Sequence, residues 1–351
     1  MKIVVPENKC FGCGACVDAC PVNCIRLEPD MYGFLYPSVD EKSCIDCHQC
    51  EKVCPALNVN DKYDTLAAYA ATALKREESK KSSSGGIFAV IANYVLEQKG
   101  VVYGTTFGEN FETIVIGITE KVELHKLQGS KYVQSTMVGC FTAIKKQLKE
   151  GTYVVFCGTA CQVAALKSFL GEIYENLFTM DLVCHGVPSN QLFLDYLKYI
   201  EKKYDNKIQT YIFRDKEQGQ APVGKLVFQD GKIKKENSYQ SSYYSFFLKN
   251  VTFRDNCYTC PFATEQRVGD ITLCDYWGVD VEEPEFLKEI KTKGLTGISG
   301  VLLNTDKGVS VFSKIQDRLF YKQTEPKKIA RNNQNLQKPS NKSEETEEVR
   351  K

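Results

Sequence analysis

At 351 residues, with 43% hydrophobic and 25% charged residues, the chain has length for two or three ordinary globular domains and a proper core. A formal net charge of +1 gives no reason to expect nucleic acid or a membrane surface as partner, and the longest apolar run, Ile87 to Leu96, is interrupted by Asn93 and too short to span a bilayer. The 16 cysteines are the outlier, and their metal-ligand spacings in a long chain point to a reducing, low-oxygen cytoplasm rather than a disulfide scaffold. Met1 to Pro6 holds no apolar run long enough for a signal peptide.

In chain order, residues 1–57 come first. Cys10, Cys13, Cys16 and Cys20-Pro21 are repeated as Cys44, Cys47, Cys50 and Cys54-Pro55. Each run reads C-x2-C-x2-C-x3-C-P, the ligand spacing of a bacterial ferredoxin with two 4Fe–4S clusters. Three thiolates two residues apart let one short loop wrap three irons, and the proline ends the turn opened by the fourth. Because the fourth ligand crosses over in such ferredoxins, Cys10, Cys13, Cys16 and Cys54 are assigned to one cluster and Cys44, Cys47, Cys50 and Cys20 to the other. Structural zinc also uses C-x2-C pairs, but eight cysteines in two identical four-ligand runs favour clusters. Between the runs, Ile25–Leu27 and Phe34–Tyr36 flank Asp30-Met31-Tyr32-Gly33 as a small hairpin. Residues 58–65 read as a polar linker.

A larger domain is expected over 66–325, in two parts, 66–150 and 151–325. Leu66 to Leu74 is apolar and leaves helix or strand open. Ser82-Ser83-Ser84-Gly85-Gly86 runs into a helix whose Ile87, Val90, Ile91, Tyr94 and Val95 share one face. Strands follow at Val101–Gly104 and Thr113–Thr119, then a polar loop at Gly129–Ser135 and a helix to about Lys149. From Tyr153 the pattern alternates: strand to Phe156, helix Gln162–Leu170, strand Leu177–Val183, helix Ser189–Tyr204. Such alternation predicts a parallel sheet that binds ligands at its strand ends. Ile208–Phe213, Lys225–Gln229 and Lys232–Glu236 read as strands, the last two joined at Asp230-Gly231, and Tyr243–Phe247 as an aromatic helix. Residues 326–351 have little to bury and are expected to be a disordered polar tail. The fold class is α+β and α/β multidomain: a two-cluster ferredoxin fold ahead of a mixed α/β domain.

Chemistry-bearing residues recur in the larger domain. Cys157 and Cys161 lie at one strand end, Cys184-His185 at the next, and Cys257 and Cys260 in a distant loop. Neighbouring strand ends bring loops together, so Cys161, Cys184, Cys257 and Cys260 can converge on a third cluster, on zinc, or on nothing but one another. The Ser82–Gly86 loop suits an anion at a helix N-terminus or serves as a simple cap. Lys131, with Ser130 and Gln134, is a second donor group or an ordinary surface loop. His185, with an ordinary pKa of roughly 6.5, is the one candidate proton carrier, though a structural place beside Cys184 suits it equally. His48 lies between two cluster ligands, where tuning is commoner than ligation. Arg214-Asp215-Lys216 closes a strand with mixed charge, and Cys24 and Cys140 read as core residues.

These motifs, in order, resemble a known family. Ser83-Ser84-Gly85-Gly86, Gly129–Ser135, Gly158-Thr159-Ala160-Cys161-Gln162, Asp181–Gly186, Phe213–Lys216, Cys257-Tyr258-Thr259-Cys260 and Gly269–Gly278 are similar to the coenzyme F420 (deazaflavin) hydrogenase/dehydrogenase beta-subunit family over about 66–320. The resemblance implies FAD in the larger domain and a third 4Fe–4S cluster on Cys161, Cys184, Cys257 and Cys260. It places flavin contacts at Ser83, Ser84, Gly85, Gly86, Ser130, Lys131, Tyr132, Gln134 and Ser135, with Gly158 and Thr159 beside them. Ala160 replaces the family's usual proline and Cys274 its usual glycine, which leaves Cys157 and Cys274 as alternative ligands. The implied function is an iron–sulfur flavoprotein oxidoreductase that exchanges hydride with a deazaflavin-type or polysaccharide-pathway-linked substrate and trades electrons with reduced ferredoxin or another redox protein. The competing expectation is an electron-transfer subunit or docking module without its own substrate.

Overall fold

The computed structural model describes residues 4–58, 61–218 and 223–350. Met1–Ile3 of the expected N-terminal domain, Val59 and Asn60 of the expected linker and Lys351 of the expected tail lie outside the described residues. In the N-terminal module, strands β1 (Ile25–Pro29) and β2 (Leu35–Val39) pair antiparallel with Leu27 opposite Pro37. Asp30 Oδ1 accepts the Tyr32 and Phe34 amides at 2.9 and 2.8 Å, and Gly33 takes φ +78°, which closes the predicted hairpin. The two cysteine runs fold alike: each third cysteine sits in a one-turn helix, Ala15–Asp18 or Gln49–Lys52. Each run also uses two left-handed residues, Gly12 and Gly14 in the first, Asp46 and His48 in the second. His48 therefore holds a backbone position a glycine fills in the other run, and its exposed ring pairs with Glu51 at 3.1 Å.

The larger domain is built on β3 (Ala67–Ala73), β4 (Val101–Phe107), β5 (Thr113–Ile118), β6 (Val154–Thr159), β7 (Leu177–Leu182), β8 (Ile208–Ile212), β9 (Gly224–Phe228), β10 (Ile233–Glu236), β11 (Ile271–Asp275), β12 (Ser299–Leu303) and β13 (Leu319–Thr324). Eight of them form one sheet in the order β13-β3-β12-β11-β7-β6-β4-β5. Its centre, β11-β7-β6-β4, is parallel, as the alternating pattern predicts for β6 and β7, while β12, β3 and β13 on one side and β5 on the other pair antiparallel with their neighbours. Leu66–Leu74, open between helix and strand in the sequence, is strand β3, and its alanines let helix Ile87–Glu97 lie close against it. On that helix Ile87, Val90, Ile91 and Val95 are fully buried, and so are Ala89 and Ala92 on the other side. The helix is thus enclosed beyond its predicted stripe. A separate antiparallel sheet, β10-β9-β8, packs with helix Asn190–Tyr204 around Phe193, Phe213 and Tyr244.

The terminal stretch differs from the expected disordered tail. Helix Pro326–Arg331 buries Ile329 and Ala330, Leu336 is buried, and the chain continues across the Cys184–Gly186 and Phe253–Cys257 segments. Ser340 Oγ donates to the His185 carbonyl at 2.6 Å, and Arg350 Nη2 donates to the Phe253 carbonyl at 2.6 Å. Polar composition did not prevent packing, because Ile329, Ala330 and Leu336 join an apolar cluster with Tyr276 and Phe286 while the polar residues beyond them bind backbone carbonyls.

Candidate functional site

The first two groups of thiols lie within the N-terminal module. Cys10, Cys13, Cys16 and Cys54 line one cavity, and Cys20, Cys44, Cys47 and Cys50 line the other. The fourth cysteine of each run lines the cavity of the other run's loop. Burial, then neighbouring Cys10 and Cys54, pushes the Cys16 thiol up to about 12, and burial raises Cys13 and Cys54 as well. Dry thiols pressed together resist becoming thiolates, and iron among them reverses that cost. One member escaped sequence reasoning: Cys24, read as core, also lines the second cavity, with its Sγ 3.4 Å from that of Cys20.

The third group is assembled across the fold. In register, Thr159 at the end of β6 stands opposite Leu182 at the end of β7. Cys161 and Cys184 each follow two residues later, on the same edge of the sheet. Cys161 occupies the first turn of helix Ala160–Leu170, whose capping box joins Thr159 and Gln162. Cys257 and Cys260 come from the turn at Asp255–Thr259. All four thiols are raised by burial: Cys161 to about 12 with Cys260 and Cys184 adding to it, Cys184 to about 11 with Cys260 adding, and Cys257 with all three others adding. Cys260 is raised by burial too. The residues keep some exposure, and burial is the largest cause of the shift at each thiol. Cys157 instead lies near Asp181 and Lys131, and Cys274 Sγ turns to the Gly300 carbonyl at 3.6 Å, so neither joins the four. Among the described residues no group of three or more ligating side chains is gathered tightly enough for a single metal ion. A four-iron cluster is larger than one ion, so its thiolates stand farther apart.

A buried ion pair that the sequence did not reveal supports this group. Arg267 and Asp181, both essentially unexposed, meet at 2.8 Å, and Arg267 Nη1 donates to the Phe262 carbonyl at 2.9 Å. Asp181 also accepts the Val268 and Gly269 amides, at 3.2 and 2.8 Å. The segment following Cys260 is thereby held to β7, which leads into Cys184.

The two segments expected to hold flavin lie side by side. Ser83 Oγ accepts the Ser130 amide at 2.6 Å and its hydroxyl at 2.7 Å. Lys131 Nζ donates to the Lys126 and Gln128 carbonyls, at 3.0 and 2.9 Å, and burial lowers it to about 7. Lys216 Nζ donates to the Ser79 carbonyl at 2.8 Å and to that of Ser84, and burial lowers it to about 8. Among the described residues neither lysine has a carboxylate partner. Both amines are desolvated and held by backbone carbonyls of the two segments. Tyr132 stacks on Phe247 at 4.6 Å, and its hydroxyl accepts from Arg214, which pairs with Asp275 at 2.8 Å.

Other candidates are placed differently from the expectation. Gly85 does not offer its amide to a ligand: it donates to Ser299 Oγ at 2.9 Å, and a Cβ there would meet the Ala71 carbonyl at 2.4 Å. Gly86, at φ +86°, begins the helix, and Ser84 Oγ donates to the Ile298 carbonyl. This loop is mainly a joint between β3, β12 and the helix. Ser135 Oγ accepts from Gln162 at 2.8 Å, a Cβ on Gly158 would meet Gln162 Oε1 at 2.9 Å, and Thr159 Oγ1 lies 3.1 Å from Cys161 Sγ. These three shape the Cys161 turn. Gln134 faces the N-terminal module, donating to the Phe11 carbonyl at 2.9 Å. His185 sits between Phe247 and Phe253, each 5.4 Å away, with Nδ1 3.3 Å from Asn335 Oδ1. Burial lowers its pKa, so it is a neutral, packed imidazole under the C-terminal segment.

Comparison with known proteins agrees with this layout. The C-terminal model of the coenzyme F420 hydrogenase/dehydrogenase beta subunit matches residues 151–328, its N-terminal model residues 68–141, and a 4Fe–4S dicluster domain residues 9–58. A 7Fe ferredoxin of Hydrogenibacillus schlegelii is 42% identical over 57 residues, which cover 16% of this chain and 65% of that protein. An uncharacterised ferredoxin of Methanocaldococcus jannaschii is 36% identical over 55 residues, 16% of this chain and 70% of its own length. A chain of the F420-reducing [NiFe] hydrogenase complex from Methanosarcina barkeri is similar with a TM-score of 0.48 and 16% identity, covering 79% of this chain and 93% of that one. Among the described residues no helix is long and apolar enough to cross a membrane. With its C-terminal model spanning half of the 351 residues, the chain belongs to the coenzyme F420 hydrogenase/dehydrogenase beta-subunit family and carries a 4Fe–4S dicluster domain ahead of the family's two parts.

Proposed function

We propose that this protein is an iron–sulfur flavoprotein oxidoreductase with three 4Fe–4S sites and one FAD site. The observation that carries the reading is the gathering of Cys161, Cys184, Cys257 and Cys260, four dry thiols from three distant segments. Cys10, Cys13, Cys16 and Cys54 hold one N-terminal cluster, and Cys20, Cys44, Cys47 and Cys50 the other. Ser83, Ser130, Lys131 and Lys216 hold the anionic part of the flavin. Lys131 joins the two chemistries, since it also lies near Cys157 at the end of β6, in the strand that leads to Cys161. When bound, FAD exchanges electron pairs with a substrate and single electrons with the clusters. The chain's own residues keep water from the thiols and supply fixed positive charge. A hydride-exchanging small molecule, deazaflavin-type or polysaccharide-pathway-linked, is the substrate class, and a redox protein such as reduced ferredoxin is the partner.

Metal and flavin content of anaerobically purified protein tests this. Three clusters predict about 12 irons per chain, with one FAD, against about 8 for the N-terminal module alone. A preparation with about 8 irons, one zinc and no flavin overturns the proposal and leaves an electron-transfer subunit without a substrate of its own.

A further inference from the structure

Arg254 is 1% exposed, and none of its hydrogen bonds goes to a carboxylate among the described residues. Its Nε donates to the Cys10 carbonyl at 2.7 Å, Nη2 to the Leu35 carbonyl at 3.0 Å and Nη1 to Gln134 Oε1 at 3.3 Å. The guanidinium carbon lies 4.0 Å from the centre of the Tyr36 ring. A buried guanidinium with only neutral partners is costly unless negative charge lies near. Asp30 and Asp255 also lie around Tyr36, and the Cys10 thiol set, whose first carbonyl Arg254 binds, supplies such charge once its thiols are deprotonated by a metal. From the other side, the Cys257 amide donates to the Arg254 carbonyl at 2.9 Å. One residue is thus a single hydrogen bond from a cysteine of the N-terminal module and from one of the larger domain. Beside it, Phe11 packs on Phe262 at 5.5 Å, and Cys13, Cys161 and Cys260 border the same apolar cluster. The other N-terminal set faces outward, with Ile45 60% exposed and His48 exposed.

We propose that Arg254 is the positioning residue between the Cys10 and Cys257 sites, making the Cys10 site the inner of the two N-terminal sites and raising its reduction potential with a fixed positive charge. The inference rests on the iron–sulfur reading above. Reduction adds negative charge to a cluster, so a cation held in a dry setting favours the reduced form, and charge, hydrogen bonding and solvent exposure are the levers that set such potentials. The Cys44 site, whose lining holds no arginine or lysine among the described residues, is the outer one, where electrons are exchanged with a partner.

The test is an EPR-monitored redox titration of Arg254→Gln and Arg254→Lys against the parent, with iron counted in each. The inner signal is identified as the one that survives Cys47→Ala. Expected is full iron in both variants. In Arg254→Gln the inner signal's one-electron equilibrium shifts about tenfold toward the oxidised form, roughly 59 mV, with the outer signal unmoved. Arg254→Lys keeps the charge and stays within about threefold of the parent. Full iron with an unmoved inner signal overturns the inference while leaving the three-cluster reading standing. An equal shift of both signals, or a shift in Arg254→Lys as large as in Arg254→Gln, overturns it as well. Should Arg254→Gln fail to fold, Arg254→Lys decides: a tenfold shift there overturns the charge argument, and near-parental behaviour supports it. An iron count near 8 in the parent itself means that the underlying reading has failed instead.

Discussion

The N-terminal module and the larger domain gather cysteines by opposite means. In the module, each cavity takes three thiols from one loop of seven residues and a fourth from its twin run. Left-handed backbone at Gly12, Gly14, Asp46 and His48 makes each loop curl on itself. In the larger domain the four thiols come from two neighbouring strand ends and a turn about 70 residues beyond them, so their meeting depends on the sheet and on buried ion pairs. A local site is rebuilt whenever its loop folds. A dispersed one is only as sound as the long-range contacts that assemble it.

Breaking the buried Arg267–Asp181 pair tests that contrast hardest. Arg267→Met leaves Asp181 charged and unpaired, and such truncations cost about 3–5 kcal/mol. The expected outcome is a larger domain that melts earlier and loses its share of iron, while the EPR signals of the N-terminal module persist. Equal loss from both regions would show that the two are not independent. Cys184→Ser is a gentler cut at the same place. It should remove about 4 of about 12 irons and leave the N-terminal signals intact, and an unchanged iron count would exclude Cys184 as a ligand.

The finest distinction concerns the proposed anion site of the larger domain. Burial puts Lys131 at about 7, against about 10.4 in an unfolded chain. Between those values the unfolded chain holds the extra proton, so the cost of burying Lys131 is full below pH 7 and relieved as pH rises toward 10. A bound anion favours the ammonium, so binding above pH 7 takes up a proton. FAD affinity should therefore fall by up to tenfold per pH unit above 7, as read by flavin fluorescence, and Lys131→Met should flatten that slope. A slope unchanged in the variant would remove Lys131 from the site.

The boundaries of legibility follow the same division. The hairpin, the cysteine spacing and the parallel pairing of β6 with β7 were readable, because each follows from spacing or period within a short stretch. Gln134 and Gly85 were read as cofactor contacts because their motif neighbours pointed that way. Tertiary packing instead gave Gln134 to the Phe11 carbonyl and closed Gly85 against Ala71 and Ser299. Arg254 and Arg267 carry no local signal, since a lone arginine in a loop is ordinarily a solvated one.

From the sequence alone came the spacing of the two N-terminal cysteine runs, the family, and strands β4 to β10 with the helices between them: a run of closely spaced cysteines has few ways to close, and hydrophobic period selects helix or strand, whereas β11, β12 and β13 were not read from it. Only the tertiary structure decided that Cys161 and Cys184 share a sheet edge with Cys257 and Cys260, that Cys157 and Cys274 stand apart, and that Arg254 links two thiol sets some 240 residues apart. It also laid the polar C-terminal segment over His185. Those outcomes rest on contacts between residues too far apart in the chain for any spacing to encode, and burial is what gives their charges and hydrogen bonds weight.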